Sequence, residues 1–373
     1  MKSKKLIGII AIILLLATCF TSCNTGDAGN TDVTTTLADD VTTTPDNDVQ
    51  TTTASNGQAG TPDADCAHEY TETVIEPALA LKDGKKLIKC DKCGDEKTET
   101  IPMTKRLKLL AIGNSFTVDP TYNLWGICHD AGIEELVIAT FHIGSCTYKM
   151  HWNNFRYNLP NYVYYKATST TTTSTSNVAP ETVFEDEDWD VFVYHQSGLR
   201  ARTNDNLTTF EETLEYLDDI YYYLKGRFPN ALHFYQMAWA YQDDCTQAEF
   251  VKYYGGSQKV NYDAVISSTK DIIVPMGIFD GIIPVAGAIQ NLRTSYFGDT
   301  VTRDGYHLNY GYGRWTASLC WYATVTGGSI EDISWYMPKY PDIATHMPVL
   351  KESVRNALEK PYEVVKSQYT QTP

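Results

Sequence analysis

Five short, predominantly apolar runs constrain the architecture most: residues 107–112, 136–141, 191–194, 232–235 and 282–285. Each is the length of a strand, and none shows the strict alternation of a half-solvated strand. Between them the apolar spacing changes to the helical period. Leu207, Phe210, Leu214, Leu217, Ile220, Tyr221 and Leu224 keep one stripe, Val260, Val265 and Ile266 begin another, and residues 315–325 supply a third. Strands buried on both sides and alternating with helices predict a parallel sheet covered on both faces. In such sheets ligands meet the C-terminal ends of the strands. Two stretches interrupt the pattern, the Ser/Thr-rich 168–177 and the acidic 185–188, and both read as solvated loop.

What precedes residue 104 is of other kinds. Residues 1–23 carry a basic start, Met1-Lys2-Ser3-Lys4-Lys5, and an apolar run from Leu6 to Phe20, the pattern of an export signal. Phe20-Thr21-Ser22-Cys23 resembles a bacterial lipobox, which would place a lipid on Cys23 and anchor the chain to the outer side of a membrane. Leu16-Ala17-Thr18-Cys19 competes with it, and a plain secretory signal is the other reading. Residues 24–64 hold almost no large apolar side chain and are expected to be a disordered tether.

Residues 65–103 form a small module. Thr71 to Ile75 and Lys86 to Lys89 read as a hairpin turning at Asp83-Gly84, bracketed by Cys66-Ala67-His68 and Cys90-Asp91-Lys92-Cys93-Gly94. Cys66, His68, Cys90 and Cys93 make a donor set for a structural zinc ion, and a disulfide between Cys66 and Cys90 or Cys93 is the alternative. The module resembles the small C-x-H…C-x-x-C-G units of bacterial surface proteins. Four protein ligands would close a metal site to catalysis.

The remaining residues, 104–373, suit one domain. Two places in it carry chemistry. Ser115 follows the first apolar run through Gly113-Asn114, where the chain leaves a strand for a helix. Asp304 and His307 stand three residues apart, a spacing that lets a carboxylate orient an imidazole. Asp299 lacks that relation to His307. No G-x-S-x-G elbow is present, which disfavours the ordinary α/β-hydrolases.

Ile112-Gly113-Asn114-Ser115-Phe116-Thr117 together with Asp304-Gly305-Tyr306-His307-Leu308 resembles the SGNH/GDSL hydrolase superfamily, over roughly residues 105–330. The resemblance implies a three-layer α/β/α sandwich on a flavodoxin-like parallel sheet. It implies a triad of Ser115, Asp304 and His307, with the backbone N–H groups of Ser115 and Gly144 in the oxyanion hole. The family's third block supplies an asparagine within G-x-N-D. Here the chain reads Tyr194-His195-Gln196-Ser197-Gly198, so Gln196 is the amide at hand. The activity implied is ester hydrolysis through an acyl-enzyme, without a catalytic cofactor. An O-acetyl or other acyl group on a carbohydrate is the expected substrate. A non-catalytic glycan- or wall-binding lipoprotein and a lipase or thioesterase are the alternatives.

The other candidates are bland. His129, His142, His151, His195 and His233 show no metal spacing and read as structural or as pocket wall, while Cys146 reads as free and buried. Trp152, Trp239, Tyr241 and Trp315 are candidates for a sugar-stacking cleft, with packing the simpler account of most aromatics. A net charge of −16 argues against nucleic acid and against acidic polymers as substrates.

Overall fold

The computed structural model describes residues 66–373, apart from the side chains of Leu199, Leu207, Thr208, Thr209 and Glu212. The export signal 1–23 with Cys23 and the tether 24–64 lie outside the described residues. No helix among the described residues is long and apolar enough to cross a membrane.

The chain begins with a three-stranded antiparallel sheet, β1 (Tyr70–Glu76), β2 (Gly84–Cys90) and β3 (Glu96–Ile101). The expected hairpin is there, but its turn is not at Asp83-Gly84. Leu79 and Lys82 close a tighter turn around Ala80 and Leu81, and Gly84 already belongs to β2. Glycine is needed at 84 because a Cβ there would lie 2.4 Å from the backbone nitrogen of Ala78. That loop reaches into the larger part of the molecule: the Ala80 carbonyl accepts from Lys105 N–H, Leu81 N–H donates to the Thr326 carbonyl, and Ala80 joins the main core.

The strands β4 (Arg106–Gly113), β5 (Glu135–His142), β6 (Tyr162–Ala167), β7 (Thr172–Val178), β8 (Val191–His195), β9 (Leu232–Gln236) and β10 (Gly281–Ile283) form one seven-stranded sheet. Its order is β10-β9-β8-β4-β5-β6-β7. The five strands from β10 to β5 are parallel, so their chain order across the sheet is 2-1-3-4-5, the doubly wound arrangement. The period-two alternation shows why apolar runs were required. Along β4, Leu107, Leu109 and Ala111 enter one core while Leu110 and Ile112 enter the other.

Helices cover both faces. On one side lie α1 (Ser115–Asp130), α7 (Val285–Arg293), α8 (Tyr312–Thr326) and α9 (Ile343–Glu359). On the other lie α2 (Tyr148–Tyr157), α3 (Pro180–Phe184) and α4 (Leu207–Arg227), with α5 (Ala248–Tyr254) and α6 (Gln258–Ser268) following β9.

Three expectations change. The Ser/Thr-rich stretch is not loop: β7 pairs antiparallel with β6 and makes the edge of the sheet, where β-branched threonines suit an exposed strand. The acidic run is not simply solvated, since Glu187 pairs with Lys108 at 2.8 Å and Lys166 at 2.7 Å, and Asp186 accepts from Tyr164 at 2.8 Å. The last strand is shorter than its apolar run, because Pro284 ends it and Val285 already opens α7.

Candidate active site

β4 ends at Gly113 and α1 begins at Ser115, so one residue, Asn114, makes the turn. Asn114 is the helix N-cap: its Oδ1 accepts from Phe116 N–H at 3.1 Å. Its Nδ2 donates to the Cys146 carbonyl at 3.2 Å, which fastens the Gly144–Cys146 loop to the same turn. Gly113 leaves no room for a side chain, as a Cβ would sit 2.5 Å from Thr117 Cγ2. Its carbonyl accepts from His151 Nε2 at 2.8 Å, and Tyr162 O–H donates to His151 Nδ1 at 2.7 Å. Burial, opposed by the bond to the Gly113 carbonyl, pushes the His151 pKa down to about 4, so this ring is neutral.

Ser115 therefore opens a helix at the C-terminal edge of the sheet. The loop before α8 brings the other two residues to it. His307 Nε2 lies 2.7 Å from Ser115 Oγ, and His307 Nδ1 lies 2.7 Å from Asp304 Oδ2. A carboxylate only accepts, so Nδ1 carries the proton and Nε2 is left to accept from the serine hydroxyl. Asp304 Oδ1 also accepts from His307 N–H at 2.8 Å and Tyr306 N–H at 3.3 Å. Burial opposes the charge on Asp304, yet the hydrogen bonds from His307 and the loop backbone outweigh it and hold the carboxyl below its ordinary pKa. Asp299 is engaged elsewhere, in an ion pair with Arg293 at 2.9 Å.

The motif lies in a loop closed by a Thr302–Leu308 bridge, not on a helix. Sequence reasoning missed what holds that loop. Asp119, one turn along α1 from Ser115, is fully buried and accepts from Leu308 N–H at 2.9 Å, Arg314 Nε at 2.7 Å and Arg303 Nη1 at 3.1 Å. Arg303 also donates to the Leu308 carbonyl. From the other side, Trp239 Nε1 donates to the Tyr306 carbonyl at 2.6 Å, and the Phe116 ring stacks with Trp239 and Tyr241. The only signal for Asp119 in the sequence is an acidic residue four positions after Ser115, which is too common to single out.

The residues expected in the oxyanion hole follow three adjacent strands. Ser115 follows β4, Gly144 follows β5 and Gln196 follows β8. Open space adjoins Gly144, where a Cβ would meet nothing within 4 Å. Gln196 is buried, and its Nε2 has no hydrogen-bond partner among the described residues. It borders a cavity of about 20 Å³ with Tyr148, Ser197 and Arg200, whose walls include neither Ser115 nor His307.

The remaining candidates separate cleanly. Trp239, Tyr241 and Trp315 are core residues and present no face to a sugar, while half-buried Trp152 packs edge-on against Tyr223. Cys146 is buried, which pushes its thiol up to about 12. His195 is buried against Gln236, with Nδ1 and Nε2 of the two 2.8 Å apart. His142 ends β5 opposite Gly113, its ring meets Tyr165 at 5.4 Å, and burial and repulsion from His307 lower its pKa. In the N-terminal sheet, Cys66, His68, Cys90 and Cys93 converge, with all four donor atoms within 4.8 Å of one another.

The family model for a domain of unknown function, DUF4886, matches residues 108–347. The crystal structure of a DUF4886 family protein from Bacteroides uniformis is similar at 28% identity and a TM-score of 0.63, covering 70% of this chain and 98% of that one. A protein from Parabacteroides merdae, assigned only provisionally as a GDSL-like lipase, aligns at 14% identity and a TM-score of 0.37, covering 61% of this chain and 98% of that one. Among curated proteins none matches.

Proposed function

The chain belongs to the DUF4886 family, whose description names no activity, and from its site geometry we infer that the protein is a serine esterase. One observation carries the reading: Ser115, His307 and Asp304, 192 and 3 residues apart in the chain, form an unbroken hydrogen-bonded series with 2.7 Å at each step.

In the proposed reaction Ser115 Oγ attacks the ester carbonyl as its proton passes to His307 Nε2. Asp304 stabilises the imidazolium. The tetrahedral oxyanion is met by the N–H groups of Ser115 and Gly144 and by the Gln196 amide, whose Nε2 has no hydrogen-bond partner among the described residues. His307 returns the proton to the departing alcohol, and water then releases the acyl group by the reverse path. The substrate proposed is a small acyl ester, O-acetyl by preference, on a neutral carbohydrate. Support for a neutral partner comes from the net charge of −16, which repels acidic polymers. The export-signal pattern of residues 1–23 supports placement outside the cytoplasm, and the lipobox-like Phe20-Thr21-Ser22-Cys23 supports a membrane anchor at Cys23.

The test is turnover of p-nitrophenyl acetate against longer p-nitrophenyl esters. The wild type is expected to turn over the acetyl ester fastest. Ser115→Ala and His307→Ala should each lose on the order of 10³-fold or more in kcat, and the double variant hardly more than either, because the two residues act as a unit. Additive losses, or full activity in Ser115→Ala, would sink the assignment.

A further inference from the structure

We propose that Cys66, His68, Cys90 and Cys93 form a tetrahedral site for one thiophilic divalent metal ion, zinc, which organises the N-terminal sheet and has no part in catalysis. The inference is independent of the esterase reading.

The donors come from three places in the chain. Cys66 and His68 lie in the segment leading into β1, Cys90 is the last residue of β2, and Cys93 sits in the turn to β3. Their four donor atoms nevertheless fall within 4.8 Å of one another. Zinc–sulfur and zinc–nitrogen bonds of roughly 2.3 and 2.0 Å place tetrahedral donors about 3.5 Å apart, so a modest contraction closes the set. His68 Nδ1 and Cys93 Sγ are already 3.3 Å apart, which identifies Nδ1 as the ligating nitrogen. Around Cys90 the chain forms a knuckle: Cys90 N–H donates to the Asp95 carbonyl, Gly94 N–H donates back to the Cys90 carbonyl, and the N–H groups of Cys93 and Lys92 face the Cys90 sulfur.

A second observation shows why an ion is needed. Among residues 66–101 only Ala80, Gly84, Ile88 and Cys90 are buried, and Ala80 belongs to the core of the larger sheet. Three strands with so little apolar interior cannot offset the entropy of ordering them. A disulfide would employ two of the four donors and give no reason for the third thiol and the imidazole to meet them. The three thiols bind as thiolates and release their protons to solvent. Three sulfurs and an imidazole select zinc over hard cations such as calcium or magnesium. Four protein ligands leave no position for a substrate.

The experiment is elemental analysis of the full chain prepared in reductant without chelator, followed by exchange with cobalt(II). One zinc per chain is expected, and the cobalt form should show the intense visible absorption of a tetrahedral thiolate site. Cys90→Ser/Cys93→Ser should lose both signals. His68→Cys should keep one metal per chain and shift the cobalt bands, which tests the site even if the double variant fails to fold. A wild type that stays metal-free in zinc(II), with two of the three thiols closed to alkylation until reduced, would overturn the proposal in favour of a disulfide. Stoichiometric zinc in the double variant, or unshifted cobalt bands in His68→Cys, would overturn the ligand assignment.

Discussion

Gln196 is the residue whose chemistry is least determined by its neighbours. A buried amide N–H without a partner costs about 1–3 kcal/mol, so a Gln196 Nε2 with none among the described residues, just after the strand beside the one that leads to Ser115, calls for a use. If that use is the oxyanion, the bond exists only while charge sits on the carbonyl oxygen. Gln196→Ala is then expected to lower kcat roughly 100-fold or more with KM nearly unchanged. Gln196→Asn keeps the amide but withdraws it by one methylene, and should also lose activity. Steady-state kinetics on one short ester separates the cases. A change in KM or thermal stability with kcat intact would mean that Gln196 belongs to the small cavity beside Tyr148 and leaves the hole to Ser115 and Gly144. Asp304 has a different double task, orienting the imidazole while two N–H groups of its own loop bind its other oxygen.

At the scale of elements, the site is the junction of helix α1 with the loop before α8, and Asp119 joins them. Its carboxylate balances Arg303 and Arg314 and holds the N–H of Leu308, the residue after His307. Asp119→Asn can keep the Leu308 bond but strands two guanidinium groups, and breaking such a buried pair typically costs about 3–5 kcal/mol. Unfolding should therefore begin at lower temperature. Arg303 bridges Asp119 and the Leu308 carbonyl, so its release should also loosen the loop that carries His307 and lower kcat with KM nearly unchanged. A merely structural residue would lower the unfolding temperature and leave kcat of the folded protein in place, so the two measurements together decide. Why the Ser115–His307–Asp304 cluster was legible and this clamp was not follows from local pattern, since Ser115 and His307 are themselves 192 residues apart. Asp304 and His307 announce themselves by i, i+3 spacing, whereas Asp119 meets Arg303 across 184 residues and neither has a distinctive surrounding sequence. The same contrast holds for strands. The parallel ones are buried on both faces and so are written as apolar runs, but β7 is an exposed edge whose Thr and Ser composition also suits a loop. Tyr162–Ala167 mixes tyrosine with Lys166 and gives no clean period.

For the molecule as a whole, the question is whether the N-terminal sheet is separable from the rest. Its spacing in the sequence, with Cys66, His68, Cys90 and Cys93 all before residue 94, suggests a module that a chain starting at Met103 lacks without loss. The turn around Ala80 argues otherwise. Leu79 and Leu81 pack against the main core, Leu81 binds the end of α8 through the Thr326 carbonyl, and Gly327 and Gly328 leave the space that Lys82 and Leu81 occupy. This contact lies near the start of β4 and the end of α8, while Ser115 follows the other end of β4. Stability and catalysis are therefore expected to separate. Removing residues 1–102 uncovers two partly buried leucine contacts and one alanine contact, worth on the order of 2–4 kcal/mol when a fully buried leucine contributes about 1.5–3 kcal/mol. The midpoint of thermal unfolding should fall by roughly 5–15 °C, at about 2–4 °C per kcal/mol for a domain of this size. Turnover per reactive serine, counted with a fluorophosphonate at low temperature, should stay at the full-length value. An unchanged midpoint would mean that the turn merely rests on the surface. A fall in turnover per labelled Ser115 would mean that the N-terminal sheet acts on the site itself, through the length of β4.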